Sequence, residues 1–587
     1  MTRRPVRIGN ASGFYGDRLG AMRDLVDRTD IDVITGDYLA ELTMLILWKA
    51  KQKSPDAGYA RTFLTQFEQV VTDCAARGIK IVVNAGGLNP AGMAEQVRNI
   101  AAAAGVSTNV AYVEGDDLVP RLDELAAQGI PFAHLDTGAL LAESDVRPVS
   151  ANAYLGGWGI AAALRAGADV VITGRVTDAA LVVGVGAWWH HWDRTDYDAL
   201  AGAVAAGHVI ECGPQATGGN YSQLQEITDR RYPGSPIAEL AADGSFVITK
   251  PEGTGGLVTP GTVIAQLLYE VAAPAYANPD VVAHFDTLAV TQAGPDRVLV
   301  TGTRGSAPST DLKVSMNYIG GYRNTMTMVL TGLNIAEKAD WAVSELFELL
   351  GGQDTFDEID VQLLRYDKPD PTSLVDATAH LRITVKDRDR AKVDRAFSNA
   401  VIELAVAGYP GFHTTTPPAS ATEFGVYWPT LVPASAVAHV VVHTDGTRET
   451  VPHPSIGEPA SPRMVEDICS APVDFGPTSR RPLGDIVAAR SGDKGGNANV
   501  GVWTDTDERW DWLHAHLTVE RFHHLVPESA GLTVRRYEFA NLKALNFVIV
   551  GYLGQGVASC TKTDPQAKGL GEYLRCLHTD IPDKLVG

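Results

Sequence analysis

Short apolar runs punctuate the first third of the chain at 6–8, 31–34, 79–83, 109–113 and 168–173, and the stretches between them space their apolar residues as helices do. Short apolar runs bounded by small polar residues read as buried strands, and strands alternating with amphipathic helices predict parallel βαβ units. The expected class is therefore α/β, with an open, mostly parallel, Rossmann-like or flavodoxin-like N-terminal sheet. Sheets of that kind place ligand groups on the loops beyond the strand C-termini. The loops that fall there are 9–16, Gly36-Asp37-Tyr38, Asn84-Ala85-Gly86-Gly87, Asp136-Thr137-Gly138 and Gly174-Arg175-Val176-Thr177-Asp178, all small and largely polar.

Beyond residue 230 the pattern changes. Residues 232–261 are rich in Gly, Pro and polar side chains, 262–271 read as a helix, and 281–450 mix strands and helices (379–385, 389–407, 436–443) in a middle α+β segment. Residues 451–481 are rich in Pro and Ser with little periodicity and read as a linker. From 482 to 587 a compact α+β unit follows, with strands near 483–489, 498–503, 534–539 and 544–550 and helices near 505–517 and 519–526. At 587 residues the chain exceeds what one hydrophobic core serves. The expected division is a long α/β domain over 1–450, separable into lobes 1–280 and 281–450, then the linker and the C-terminal domain.

Composition narrows the function. Apolar residues make up 45% and charged residues 20%, with mean hydropathy −0.03, as in soluble globular chains. No apolar run reaches the roughly 20 residues that span a bilayer, and no apolar segment follows the basic N-terminus to make a signal peptide. A cytoplasmic protein without membrane partners is expected. Five cysteines (74, 212, 469, 560, 576) without CxxC spacing suggest free thiols rather than disulfides or a zinc site. The formal charge of −21 disfavours nucleic acid. From Arg480 onward 13 Lys plus Arg balance 13 Asp plus Glu, so the acidic excess lies before that point. A small anionic ligand meets less repulsion at the C-terminal end.

Familiar motifs are absent. Gly9, Gly13 and Gly16 do not fit G-x-G-x-x-G, and no P-loop, H-E-x-x-H or G-x-S-x-G occurs. His190-His191, His514, His516, His523 and His524 lack the spacing that brings two rings to one helix face, so no metal site is assigned. Three polar constellations remain. The loop 207–222 brings together Glu211, Cys212, Gln215, Thr217, Gly218, Gly219 and Asn220, an acid, a thiol and glycines whose amides can approach a ligand closely. Asp37 and Glu41, at i and i+4, would share one face at the start of a helix and do acid–base work if burial raises one pKa; alternatively Asp37 caps that helix. The third, Ala489-Arg490-Ser491-Gly492-Asp493-Lys494-Gly495, is a glycine-rich turn with two cations that suits a phosphate or carboxylate, or is simply a decorated hairpin.

Glu211-Cys212-Gly213 with Thr217-Gly218-Gly219-Asn220, Gly174-Arg175-Val176-Thr177-Asp178-Ala179-Ala180-Leu181, Tyr409-Pro410-Gly411-Phe412-His413 and Ala489-Arg490-Ser491-Gly492-Asp493-Lys494-Gly495 resemble the acyclic terpene utilisation protein A (AtuA) family. The resemblance implies a long AtuA-type domain to about residue 450, a ferredoxin-like C-terminal domain, and a place in the breakdown of acyclic terpenes through branched, unsaturated acyl-CoA thioesters. It carries over no catalytic residues, so the site rests on the residues themselves. The expectation is an enzyme, most simply a hydratase or dehydratase or a C–C lyase, acting on an acyl-CoA or related carboxylate. Glu211, Cys212, Asp37 and Glu41 would be catalytic. Asn84, Arg175, Asp178, Gln215, Thr217, Gly218, Gly219, Asn220, Arg490, Ser491, Asp493, Lys494 and Gly495 would bind substrate, with the Gly218 and Gly219 amides as oxyanion donors. No cofactor is expected beyond CoA as part of the substrate, and a homo-oligomer is expected. The alternatives are a cysteine-dependent thioesterase or acyltransferase, and a non-catalytic subunit of an acyl-CoA carboxylase or dehydrogenase.

Overall fold

A computed structural model describes residues 3–454 and 475–586. The five apolar runs become five adjacent parallel strands: β1 Val6–Asn10, β2 Val33–Gly36, β3 Lys80–Val83, β4 Val110–Glu114 and, after β5 Ser150–Ala153, β6 Val170–Thr173. Their order is β1-β2-β3-β6-β4, parallel throughout. Continuous Val and Ile runs suit strands covered on both faces. Phe63, Phe67, Val70 and Val97 pack against Ile34, Ile81 and Ile172 in one core.

The expectation of an open, mostly parallel sheet is corrected here. The five parallel strands form the centre of an 11-stranded mixed sheet. On one side β7 Ile237–Leu240, β8 Phe246–Thr249, Arg297–Thr301 and Ala289–Gly294 add in antiparallel order. On the other, Val440–Val442 and Arg448–Thr450 do the same. Hairpin-connected strands can extend a parallel edge without a crossover helix, and their short β-type runs carry no sign of which sheet they join.

The chain divides into two compact units. The first comprises 1–317, 427–557 and 566–587, and the second 318–426 and 558–565. The residues of the expected middle segment are thus divided, since 281–317 and 427–450 belong with the first unit. Strand Asp311–Thr331 begins in the first unit and continues in the second, and Thr422–Pro433 returns. In the second unit Ile335–Leu349 and Arg395–Ala407 cover a sheet of Glu358–Arg365, Thr378–Asp387 and residues 322–331, around Met328, Leu346, Ile383 and Phe397. Residues 455–474 of the expected linker, with Cys469, lie outside the described residues.

Within the first unit the C-terminal residues form an antiparallel sheet ordered Ala488–Lys494, Asn497–Trp503, Ala544–Ile549, Val534–Phe539, with helices Asp507–His516 and Val519–Leu525. The third constellation is therefore a hairpin turning at Gly495, where φ is +62°. The histidines disperse to separate partners, His514 to Glu538, His516 to Thr579 and His523 to Ser529.

Helix Tyr197–Ile210, rich in Ala and Gly, is buried over most of its length. Its glycines permit close approach. A Cβ at Gly202 would lie 2.0 Å from the Gly244 carbonyl oxygen, and one at Gly207 would lie 2.7 Å from the Ala179 Cα. Since the obstacle at Gly202 is backbone, Gly202→Ala is expected to lower stability by about 1–3 kcal/mol. Urea unfolding checks this, and an unchanged midpoint would contradict such close packing.

Candidate active site

The site begins at the C-terminal ends of the parallel strands, where small residues free the side chains that follow. After β2, Asp37 accepts a hydrogen bond from Asn84 Nδ2, which follows β3, while Asn84 Oδ1 takes the Tyr38 amide at 2.8 Å. After β6, the Arg175 guanidinium donates to the Leu39 carbonyl at 3.0 Å and pairs with Asp178 at 2.8 Å, and it lies 4.3 Å from the Tyr154 ring centroid. Asp116, after β4, accepts the Arg175 amide at 2.9 Å and Asn152 at 2.8 Å. Burial pushes the Asp116 carboxyl up to about 7.

Asp37 and Glu41 do not share a helix face as expected. The helix starts at Glu41, and Asp37 lies ahead of it, its carboxylate taking the Leu39 amide at 3.2 Å rather than capping. The two acids go to different surroundings. Glu41 Oε1 accepts from Tyr154 at 3.1 Å and Tyr427 at 3.4 Å and lies 3.7 Å from Lys313 Nζ. Burial opposes its ionisation, but Lys313 and Arg175 outweigh burial and hold the carboxyl at about 2. Asp37 goes the other way, pushed well above its usual range by burial and by the charge of Asp178, against Arg175 and Asn84.

Glu211 follows helix Tyr197–Ile210 directly. Asn10, the last residue of β1, donates to the carbonyls of Ile210 at 2.6 Å and Glu211 at 3.0 Å, fixing the helix end against the sheet edge. The Glu211 carboxyl lies 3.1 Å from His208 Nδ1, yet neither His208 nitrogen nor Glu211 Oε2 makes an aligned hydrogen bond. The surroundings favour the neutral form of each. Burial lowers His208 to about 4, with Lys494 adding to the effect, and burial with the charge of Asp178 raises Glu211 far above its normal value. His208 lies among the rings of Tyr276 and Phe285, which shut it from water.

The C-terminal hairpin supplies a second pole. Arg490 donates to Gln215 Oε1 and stacks 4.2 Å from the Tyr269 ring centroid. Lys568 bonds the Tyr269 hydroxyl and lies 3.8 Å from Asp493. Burial and then Glu270 push Asp493 up to about 7. Lys494 turns elsewhere, donating to the Glu270 carbonyl at 2.6 Å, and burial plus nearby Lys313 lower its pKa. Asn499 holds the same segment by accepting the Glu270 amide at 2.8 Å.

Several expected contributors sit outside this cluster or serve the framework. Thr217 donates to the Pro214 and Gly234 carbonyls. The Gly218 and Gly219 amides both point at the Pro214 carbonyl, closing the turn, so they are engaged rather than turned toward a substrate. Asn220 is an exposed residue at φ +55°. Ser491 bonds the Lys568 carbonyl and the Gly571 amide, and Gly495 packs where a Cβ would lie 2.7 Å from the Tyr427 ring. Cys212 adjoins Arg490 and Lys568, but burial with Glu211 and Glu270 pushes its thiol well above the normal value. Tyr409 bonds the Val329 carbonyl and anchors its motif within the second unit. Sequence reasoning missed Lys313, Tyr154, Tyr427, Tyr269, Glu270 and Lys568, and took His208 only as the local histidine that Cys212 would need. Lys313 occupies a strand position that looks like any other.

Residues 6–443 match the model of the acyclic terpene utilisation family protein AtuA, and residues 481–580 match that of the AtuA ferredoxin-like domain. The chain belongs to the AtuA family. The AtuA name ties the family to acyclic terpene utilisation. The candidate site draws on both AtuA portions, with Asp37, Glu41, Arg175 and Glu211 from the first and Arg490, Asp493, Lys494 and Lys568 from the second. No curated protein and no solved structure matches the chain. Among the described residues no helix is long and apolar enough to cross a membrane, and no three His, Cys, Asp or Glu side chains are grouped to hold a metal ion.

A carboxyl whose folded pKa is raised binds more protons folded than unfolded, so it lowers stability progressively as pH rises above its unfolded value. Glu211→Gln removes that penalty. The variant is expected to be more stable than wild type, by a margin that widens as pH rises above the unfolded carboxyl's value of about 4.3. Denaturation midpoints at rising pH check it, and a margin that shrinks as pH rises would contradict a protonated Glu211.

Proposed function

We propose that the protein is an enzyme of acid–base chemistry on a branched or unsaturated acyl-CoA or related carboxylate, adding or removing water beside the thioester carbonyl. One observation carries this reading. Carboxyl groups that share the field of Arg175 are driven in opposite directions, the part-exposed Glu41 toward the ionised form and the buried Asp37 and Glu211 toward the protonated form. Environments that separate the pKa values of neighbouring acids create an acid and a base in one place. Repulsion among Asp37, Asp178 and Glu211 disfavours ionising both Asp37 and Glu211, so the pair carries at most one charge, and the ionised member accepts a proton while the protonated member gives one.

For hydration, the ionised partner takes the proton of a water whose oxygen bonds the β-carbon of the conjugated thioester. The π electrons move to the thioester oxygen, and Lys313 stabilises the charge that develops there. Collapse of the enolate takes a proton from the other carboxyl onto the α-carbon, and dehydration is the reverse. Lys313 replaces the Gly218 and Gly219 amides as the electrostatic element, since a cation already held beside Glu41 and the Tyr154 and Tyr427 rings needs little reorganisation. Four buried polar atoms without a protein partner, Glu211 Oε2, His208 Nε2, Arg175 Nε and Arg490 Nε, favour a polar ligand at this site.

Cys212 as a nucleophile is disfavoured, because attack requires the thiolate and its surroundings suppress it. A purely structural subunit would leave unexplained why so many ionisable groups are gathered out of water, which is costly. The test is turnover of a panel of 3-methyl-branched enoyl-CoAs. Glu211→Gln and Lys313→Met are each expected to lower kcat by about 10²–10⁴-fold. Folded variants with wild-type turnover would sink the assignment.

A further inference from the structure

Arg490 is 6% exposed, and its Nε is buried without a hydrogen-bond partner. One guanidinium N–H goes to a neutral amide oxygen, that of Gln215, and the plane stacks on Tyr269. Among the described residues no carboxylate lies within ion-pair distance of it. This sets it apart from Arg175, which pairs with Asp178, and from Arg536, which pairs with Glu538. Lys568 reaches the same ring, with its Nζ 4.6 Å from the Tyr269 centroid. Its acidic neighbour Asp493 stands 3.8 Å away, beyond hydrogen-bonding distance.

A buried guanidinium without an anion is expensive, and a fork of parallel N–H groups fits a planar carboxylate through two bonds at once. We infer that Arg490, with Tyr269 beneath it and Lys568 beside it, seats a free carboxylate of the substrate. The substrate is then a carboxylic acid at this end, while its reacting carbon lies toward Glu211. Lys494, expected from sequence to share this task, is directed to the Glu270 carbonyl. Lys568, from the segment before helix Leu570–Cys576, takes its place. The substrate class rests on the acid–base reading of the same site, whereas the seat itself is a matter of binding and can be tested without turnover.

The experiment uses the full chain with glutarate, glutaramide and inorganic phosphate as probes, in titration calorimetry and thermal unfolding. Glutarate is expected to bind and to raise the melting temperature, with glutaramide and phosphate much weaker. Arg490→Met should weaken glutarate by about ten- to a hundredfold, the worth of hydrogen bonds to a charged group. Without ligand it should melt no lower than wild type, because an unpaired buried charge has been replaced by an apolar chain of similar length. A structural arginine would give the reverse, a destabilised variant with glutarate affinity unchanged, and that result overturns the seat. Phosphate binding as tightly as glutarate would also overturn it, in favour of a phosphate site. Glu211→Gln should retain glutarate binding, so failure of the catalytic reading would show as undiminished turnover in that variant while the seat still binds.

Discussion

Ionised side chains stay inside a protein only where neighbours replace the water they have lost. The candidate site places Asp37, Glu41, Asp178, Glu211, Glu270 and Asp493 among Arg175, Lys313, Arg490, Lys494 and Lys568. The bargain is struck unevenly. Glu41 has two cations and two tyrosine hydroxyls that favour its charged form, whereas Glu211 has a neutral imidazole and an unpartnered oxygen that favour its protonated form. The rest of the first unit can be understood as what holds these unequal surroundings fixed.

Rigidity comes from backbone contacts too close for larger side chains. The glycine-bearing helix Tyr197–Ile210 rests on its neighbours through Gly202 and Gly207, and Asn10 ties its end to β1, so Glu211 is set by the sheet rather than by a loop. On the opposite pole, Asn499 and Asn546 bind the Val271 carbonyl and steady the segment that carries Tyr269 and Glu270. Neither pole is contained in one portion of the sequence. The ferredoxin-like domain therefore supplies Arg490, Asp493, Lys494 and Lys568 to the candidate site.

The parallel strands were legible because each is a continuous apolar run, and the chemistry at their ends followed from topology: Asp37, Asn84, Arg175 and Asp178 all emerge at that edge. Their extension by six antiparallel strands was not legible, since short β-type runs do not reveal their partners. The site was half-legible for the same reason. Residues in compact motifs, such as Glu211 and Arg490, announce themselves. Lys313 and Tyr154 sit in or beside strands whose alternating pattern fits any sheet, and Tyr427 meets Glu41 across 386 positions of sequence. The Gly218 and Gly219 amides, expected to face a substrate, instead donate to the Pro214 carbonyl, which sequence does not reveal because it depends on how the turn closes.

The central claim is that the site drives one carboxyl, Glu211, toward its protonated form and another, Glu41, toward its ionised form, with Arg175 and Lys494 acting on both. Infrared difference spectroscopy between wild type and Glu211→Gln addresses it directly. The account predicts that the substitution removes a protonated-carboxyl C=O band at neutral pH and leaves the ionised-carboxylate bands in place. Loss of an ionised-carboxylate band instead, with no protonated band in the wild type, would contradict it.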